Sequence, residues 1–133
     1  IVAGKGLGDN ARAALITRGL AELIRLGRAK GAETQTMMGL AGLGDLTLTC
    51  NAMQSRNFSL GVALGKGTPL AEILAGRLAV TEGVASAASV VTLAKSLGVE
   101  LPISESVDAI LHHGRDIDAV VAELLARPLR QEF

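Results

Sequence analysis

Aromatic residues and cysteine are scarce in this sequence, and both shortages exclude classes of protein. Its 133 residues include two phenylalanines but neither tyrosine nor tryptophan. A surface on which nucleic-acid bases stack is therefore not expected. Cys50 is the only cysteine, so the chain cannot form an internal disulfide, and a reducing compartment fits its composition best.

The chain also lacks a net charge, a long apolar run and an initiator methionine. Its 13 basic and 13 acidic residues cancel, which argues against a nucleic-acid partner, since such a partner requires a basic excess. No apolar run approaches the roughly 18 residues of a membrane span, so no spanning segment is expected. We expect a chain that starts at Ile1 to be a piece of a longer protein.

What the sequence does contain is mainly alanine, leucine, valine, isoleucine and glycine, in patterns typical of helices. Its length suits one domain with a real core. The β-branched residues are scattered among alanines and do not alternate, so we predict an all-α domain of several short helices around one long early helix. The predicted helices cover residues 10–30, 34–39, 46–51, 55–66, 68–75, 82–97, 102–113 and 116–126, with a frayed segment at 1–8 and an extended bridge at 78–80.

Capping residues set most of these predicted boundaries. The expected N-terminal caps are polar side chains that can accept a first-turn N–H, and the expected stops are glycines. The early helix carries Ala13, Ala14 and Gly19, whose small size would let other helices approach closely. The predicted caps are Asp9, Thr34, Asp45, Ser55 and Asp116, and the predicted stops are Gly31, Gly67, Gly98 and Gly114.

One stretch, residues 39–57, is the best candidate for a binding site. Three glycines, at 39, 42 and 44, would loosen its backbone, since glycine reaches positive φ freely. Ser55 would cap the helix that starts at Arg56. A helix N-terminus beside an arginine is a site for phosphate or carboxylate, so the stretch predicts a small-anion site with Asp45 nearby in sequence.

Simpler explanations exist for each of these residues. Arg56 could be a solvated arginine at a helix start, and Asp45 could serve only as a cap. Glu82 could only complement the dipole of its helix. Arg12 and Arg18, on the early helix, suit surface or interhelix pairing.

Other motifs predict little chemistry. The glycines at 4, 6 and 8, and those at 42 and 44, do not form the G-x-G-x-x-G loop of dinucleotide-binding domains, and they do not lie between a strand and a helix. His112 and His113 are adjacent and point to different helix faces, and no cysteine or carboxylate completes a metal-ligand spacing, so no metal site is expected. Cys50 suits a small buried hydrophobe.

Several blocks of the sequence resemble the C-terminal domain of bacterial NAD(P)-dependent glycerol-3-phosphate dehydrogenase. They occur in the order of that family and cover most of the chain to about Val107. The resemblance implies an all-helical substrate-binding domain over residues 1–133, similar to the C-terminal domain of 6-phosphogluconate dehydrogenase, with the N-terminal Rossmann domain absent. The blocks are NARAALITRGLAE (10–22), GLAGLGDLTLTC (39–50), QSRN (54–57), TEGV (81–84) and LPISESV (101–107).

The resemblance implies reversible hydride transfer between dihydroxyacetone phosphate and glycerol 3-phosphate, with NAD or NADP as the cofactor. The product would feed phospholipid synthesis in the cytoplasm. Ser55, Arg56 and Asn57 match residues that hold the substrate phosphate, and Asp45 and Thr49 match residues near its hydroxyl groups. Cofactor contacts are implied for Arg56, Val80 and Glu82.

No catalytic residue is carried over to this chain, because the proton-transferring lysine of the family lies upstream of Ile1. We therefore expect no turnover from these 133 residues alone. A homodimer is possible. The alternatives are a helical interaction module without a ligand, or the same dehydrogenase fold acting on another hydroxy acid, whose carboxylate would satisfy the same arginine.

Overall fold

The structure, a computed structural model, describes residues 1–76 and 81–128. Every regular element in these ranges is a helix, as the sequence predicts. The predicted bridge at 78–80 lies outside the described residues. The α-helices are α1 (Asp9–Ala29), α2 (Thr34–Met37), α3 (Asp45–Asn51), α4 (Arg56–Gly65), α5 (Leu70–Ala75), α6 (Glu82–Leu97), α7 (Pro102–His112) and α8 (Ile117–Leu125), and a π-helix (Leu40–Gly44) joins α2 to α3.

Local capping signals predicted several helix ends correctly. The Ser55 hydroxyl accepts the backbone N–H of Phe58 at 3.2 Å and caps α4. The Asp116 carboxylate accepts the N–H of Ala119 at 2.9 Å and caps α8. Gly98 ends α6 in the left-handed conformation, with φ of 66°, which a residue with a Cβ rarely adopts.

Three predicted caps are wrong, because each of these residues is the first residue of its helix and another residue occupies the capping position before it. Asp9 is the first residue of α1, and its carboxylate pairs with Arg12 at 2.7 Å. Thr34 is likewise the first residue of α2, and Glu33 occupies the capping position. Asp45 has helical φ and ψ of −63° and −44°, whereas a capping residue needs an extended backbone to turn its side chain back onto the helix.

The opening segment is packed against α4, not frayed, and the packing depends on Gly4 and Gly65. A Cβ on Gly65 of α4 would come within 2.2 Å of the carbonyl oxygen of Ile1, and one on Gly4 would come within 2.2 Å of that of Val62. These two backbones therefore approach more closely than any side chain would allow. The expected close approach at Gly19 is wrong, since a Cβ there would meet no atom within 4 Å.

The apolar core is centred on α4 and α5. Leu60 and Leu64 of α4 pack with Ile73 of α5, and side chains from the opening segment, α6, α7 and α8 cover this cluster. The long helix α1 adds Leu20 and Ile24 to the buried residues, and it contacts α2, the π-helix, α3 and α7. This packing fixes the N-terminal ends of α4 and α6, where four of the predicted site residues lie: Ser55, Arg56, Asn57 and Glu82.

Candidate functional site

The N-terminus of α4 carries three of the predicted site residues in consecutive positions. Ser55 is the capping residue, and the side chains of Arg56 and Asn57 are exposed on the first turn. The first N–H groups of a helix point out of its N-terminus and favour negative charge there. With a guanidinium and an amide beside them, they form an arrangement suited to a phosphate or carboxylate.

Asn57 is held in one orientation by α6. Its side-chain oxygen accepts the backbone N–H of Gly83 at 3.1 Å, which joins residues 26 positions apart. A Cβ on Gly83 would lie 2.5 Å from the same oxygen, so glycine is needed for this approach. Because Oδ1 accepts from Gly83, the NH₂ group of the same amide keeps its two N–H donors.

Asp45 and Thr49 are four residues apart on α3, and such residues share one side of a helix. Asp45 is exposed and Thr49 is half-buried. None of the three preceding glycines has a positive φ. Gly42 is instead required by close packing, because its Cβ would lie 1.8 Å from the carbonyl oxygen of Met37.

The ends of α3, α4 and α6 border one cavity of about 360 Å³. Leu46 and Cys50 of α3, Asn57 of α4 and Gly83 of α6 all line it, within a wall that is mostly apolar. Thr81 also lines it, and its hydroxyl oxygen is buried with no hydrogen-bond partner in the described part of the chain. Of the predicted site residues that the structure describes, Asn57 lines this cavity. The others do not line it: Asp45, Thr49, Ser55, Arg56 and Glu82.

The thiol of Cys50 is not set up as a nucleophile. Burial raises its pKa above the ordinary value, and the nearby Arg12 guanidinium only partly offsets this. The thiol is therefore protonated at neutral pH. Its place in the cavity wall agrees with the predicted role of a small apolar residue.

Glu82 is the first residue of α6 and is exposed, next to Gly83 at the junction with α4. Its neighbour Thr81 stands at the capping position without making a side-chain cap bond. Val80, the other residue matched to a cofactor contact, lies outside the described residues. The cofactor contacts of Arg56, Val80 and Glu82 stay predictions.

The two histidines have a carboxylate beside them that their sequence spacing did not suggest. Asp108 is buried, and one of its oxygens lies 3.2 Å from Nε2 of His113. His112 instead places Nε2 2.7 Å from the carbonyl oxygen of Val84. Within residues 1–76 and 81–128, no group of three histidine, cysteine or acidic side chains is arranged to hold a metal ion.

One structural carboxylate was missed by the sequence reasoning. Glu22 of α1 is buried, and it accepts hydrogen bonds from the N–H of Ile103, the N–H of Ser104 and the hydroxyl of Ser104 at the start of α7. A glutamate between Ala21 and Ile24, both buried, was the available signal, because a charge in an apolar stripe needs a partner. The predicted pairing roles of Arg12 and Arg18 are confirmed: Arg12 pairs with Asp9, and Arg18 donates to the Leu124 carbonyl.

Two further features of the described residues bear on the class of protein. A second cavity, of about 500 Å³, lies on the other side of α1 and is lined by Arg18, Glu22, Arg25 and Arg127 among others. Arg18 and Arg25 both donate to backbone carbonyls there, so they stabilise helix and loop ends.

Among the residues that the structure describes, no helix is long and apolar enough to cross a bilayer.

Comparison with known proteins gives a consistent result. Residues 1–122 match the family described as the C-terminus of NAD-dependent glycerol-3-phosphate dehydrogenase. The chain is 58% identical over 132 residues to the glycerol-3-phosphate dehydrogenase [NAD(P)+] of Parvibaculum lavamentivorans, covering 99% of this chain and 40% of that protein. The corresponding protein of Rhodospirillum rubrum is 54% identical, with 99% and 38% covered.

A solved structure shares the fold. The crystal structure of glycerol-3-phosphate dehydrogenase from Coxiella burnetii is similar to this chain with a TM-score of 0.91 and 45% identity, over 95% of this chain and 39% of that one. The chain therefore spans about two fifths of the length of the relatives that it matches.

Proposed function

This chain belongs to the family of NAD-dependent glycerol-3-phosphate dehydrogenase C-terminal domains, and from that premise we propose that residues 1–133 are the substrate-binding domain of such an enzyme. The proposed reaction is reversible hydride transfer between NAD(P)H and dihydroxyacetone phosphate, which gives sn-glycerol 3-phosphate. The observation that carries the proposal is the α4 N-terminus, where Ser55, Arg56 and Asn57 present donors for a phosphate.

The phosphate would be bound by three kinds of donor. Arg56 supplies a guanidinium, the first turn of α4 supplies backbone N–H groups, and Asn57 supplies its side-chain NH₂ group, since its oxygen is bonded to Gly83. Charge-assisted bonds of this kind are about twice as strong as neutral ones. Because the phosphate does not react, its binding energy can be used to orient the carbonyl carbon.

Asp45 and Thr49 would fix the hydroxyl end of the substrate. They share one side of α3, and α3 packs against α4. The proton needed at the carbonyl oxygen is proposed to come from a lysine upstream of Ile1, as the family resemblance implies. The part of the reaction assigned to this chain is therefore binding and orientation.

The nicotinamide of NAD or NADP would supply or take the hydride when it is bound. The described residues fit such a group in one respect: the Thr81 hydroxyl beside Glu82 is buried without a partner and lines the cavity next to Asn57. It could therefore meet a polar group of the cofactor. Glu82, Val80 and Arg56 are the proposed contacts, and most of the cofactor would be held by an N-terminal Rossmann domain in the longer protein.

The wider biological proposals rest on the family alone. The longer protein would act in the cytoplasm and supply the precursor of glycerophospholipids, and it could form a homodimer. An interaction module without a ligand is not favoured by the family membership. A carboxylate substrate is kept as the alternative, because Arg56 would bind a carboxylate as well as a phosphate.

The test uses the longer protein encoded by the reading frame that contains this chain. Arg56→Ala should lower kcat/KM for glycerol 3-phosphate by about 30- to 700-fold, since losing a charge-assisted contact costs roughly 2–4 kcal/mol. Lys66→Ala, at the opposite end of α4, is the matched control and should change kcat/KM less than about twofold.

Substrate choice separates the alternatives. The wild-type protein should oxidise glycerol 3-phosphate far faster than glycerol or a hydroxy acid that carries only a carboxylate. Failure to oxidise glycerol 3-phosphate with either NAD or NADP would overturn the proposed function. Unchanged kinetics in Arg56→Ala would remove Arg56 from the phosphate site but leave the reaction in place.

A further inference from the structure

His112 connects the end of α7 to the first turn of α6. Its Nε2 lies 2.7 Å from the carbonyl oxygen of Val84, 28 residues away in sequence. A carbonyl oxygen only accepts, so Nε2 carries the proton and donates it. The side chain is 33% exposed, so this hydrogen bond lies at the edge of the α6–α7 contact.

The first turn of α6 is stabilised from outside the helix. Thr81, at the capping position, makes no side-chain bond to the helix, and its hydroxyl has no partner in the described ranges. The N–H of Gly83 is satisfied by Asn57 of α4, and the next residue, Val84, is held by His112. Two neighbouring residues of α6 are thus fixed by side chains from two different helices.

We propose that His112 is a positioning residue for the substrate and cofactor site, a role that rests on the function proposed above. By holding Val84 it keeps the Gly83 N–H on the Asn57 oxygen, and so fixes the orientation of the Asn57 amide, whose NH₂ group is the proposed phosphate donor. The same bond fixes Glu82, which precedes Gly83. His112 touches neither ligand and acts through the first turn of α6.

His113 provides a matched comparison, because the two neighbouring rings serve different partners. His113 lies 3.2 Å from the buried Asp108 carboxylate, whereas His112 is 4.0 Å from it, which is too long for a hydrogen bond. His113 therefore contacts a residue of α7, its own part of the chain, whereas His112 contacts α6. Substituting His113 should leave the first turn of α6 unchanged.

The direct test is hydrogen exchange of the peptide covering residues 81–88 in the longer protein. His112→Phe keeps the ring but removes the donor, and it should speed exchange of this peptide by about fivefold, as expected for one hydrogen bond of roughly 1 kcal/mol. His112→Gln, whose amide can donate to Val84, should restore most of the protection. His113→Gln is the control and should match the wild type.

The kinetic test separates positioning from general damage. His112→Phe should raise KM for glycerol 3-phosphate about fivefold with kcat within about twofold, because the lost orientation of Asn57 weakens phosphate binding in the ground and transition states alike. His112→Gln should recover KM. A fall in kcat alone would instead indicate a smaller folded fraction and would count against the proposal.

The two proposals can fail separately. If the wild-type protein does not use glycerol 3-phosphate, the proposed function fails, while the exchange experiment still decides whether His112 holds the first turn of α6. Equal exchange in His112→Phe and the wild type would overturn the positioning role whatever the substrate is. Equal losses in His112→Phe and His112→Gln would also overturn it, because the donor would then not be responsible.

Discussion

Among single residues, Glu22 shows how a buried charge stabilises a helix from which it is distant in sequence. Its carboxylate accepts two backbone N–H groups and one hydroxyl at the start of α7, about 80 residues further along the chain. Leu101 at the capping position has no side chain that could do this. Burial raises the pKa of Glu22 above its ordinary value of 4.5, although the hydrogen bonds from Ile103 and Ser104 oppose this effect.

Glu22→Gln should lower the free energy of unfolding by about 1–3 kcal/mol, because its NH₂ group would face backbone donors. In the wild type, Glu22 of the folded state binds its proton more tightly than Glu22 of the unfolded chain, because its pKa is raised. The free energy of unfolding therefore falls as the pH rises from 4.5 through the pKa of the folded state. The difference in free energy of unfolding between the wild type and Glu22→Gln should therefore shrink over that pH interval.

Urea unfolding of both proteins from pH 4 to 8 measures this difference. Glu123→Gln is a suitable control, because Glu123 pairs with Arg115 on the surface, and such pairs contribute little. If the difference in free energy of unfolding between the wild type and Glu22→Gln grew with pH, the prediction would be wrong.

Among the secondary-structure elements, the π-helix is the least expected. It forms because the Gly44 N–H bonds to the Gly39 carbonyl at 3.1 Å, five residues back. The π-helix runs directly into α3, since Gly44 and Asp45 both have helical φ and ψ. Gly42 is buried inside it. The two glycines differ in role. Gly42 is in tight contact with Met37, whereas Gly44 has a helical backbone that does not require glycine.

Gly42→Ala should therefore lower the free energy of unfolding by about 1–3 kcal/mol, since the added methyl group meets a backbone carbonyl that cannot move aside. Gly44→Ala is the matched variant. Its Cβ would meet Leu40 at 3.4 Å, and its φ and ψ of −62° and −51° suit alanine. It should be neutral or stabilising by up to about 1 kcal/mol. Thermal unfolding of the two variants measures the contrast, and equal effects would show that the π-helix tolerates a side chain at Gly42.

At the scale of the whole molecule, the region around α3 exposes unusually large apolar side chains. Leu40 is 92% exposed, Leu48 69% and Met53 59%. They belong to the π-helix, to α3 and to the segment that follows it, next to the proposed substrate site. An apolar surface of this kind is typical of a contact with another protein part, and the proposed Rossmann domain of the longer protein is the candidate.

The 133-residue chain should therefore self-associate as its concentration rises, because this surface is uncovered. Leu40→Lys combined with Leu48→Lys should reduce the association, measured by sedimentation. Leu125→Lys, on α8, where the side chain is 39% exposed, should have little effect. A monomer at high concentration for the unmodified chain would contradict the expectation.

The local sequence was sufficient for the class of fold and for many helix ends. The helical spacing of apolar residues and the caps at Ser55, Asp116 and Gly98 act within four residues, so they can be identified in an isolated segment. The family resemblance selected Ser55, Arg56 and Asn57 as neighbours, and the structure places Ser55 at the capping position of α4 and the other two on its first turn. Their roles toward a substrate stay predictions.

The tertiary structure alone decided how these pieces meet. The Asn57–Gly83 bond, the reach of Glu22 to α7 and the packing of Ile1 on Gly65 join residues 26 to 82 positions apart. No local pattern records such distances, since the energy of each contact exists only when the helices are already packed. The sequence by itself determined an all-helical chain and predicted an anion site at one helix start, whereas packing determined how that helix start is oriented and which helices hold it.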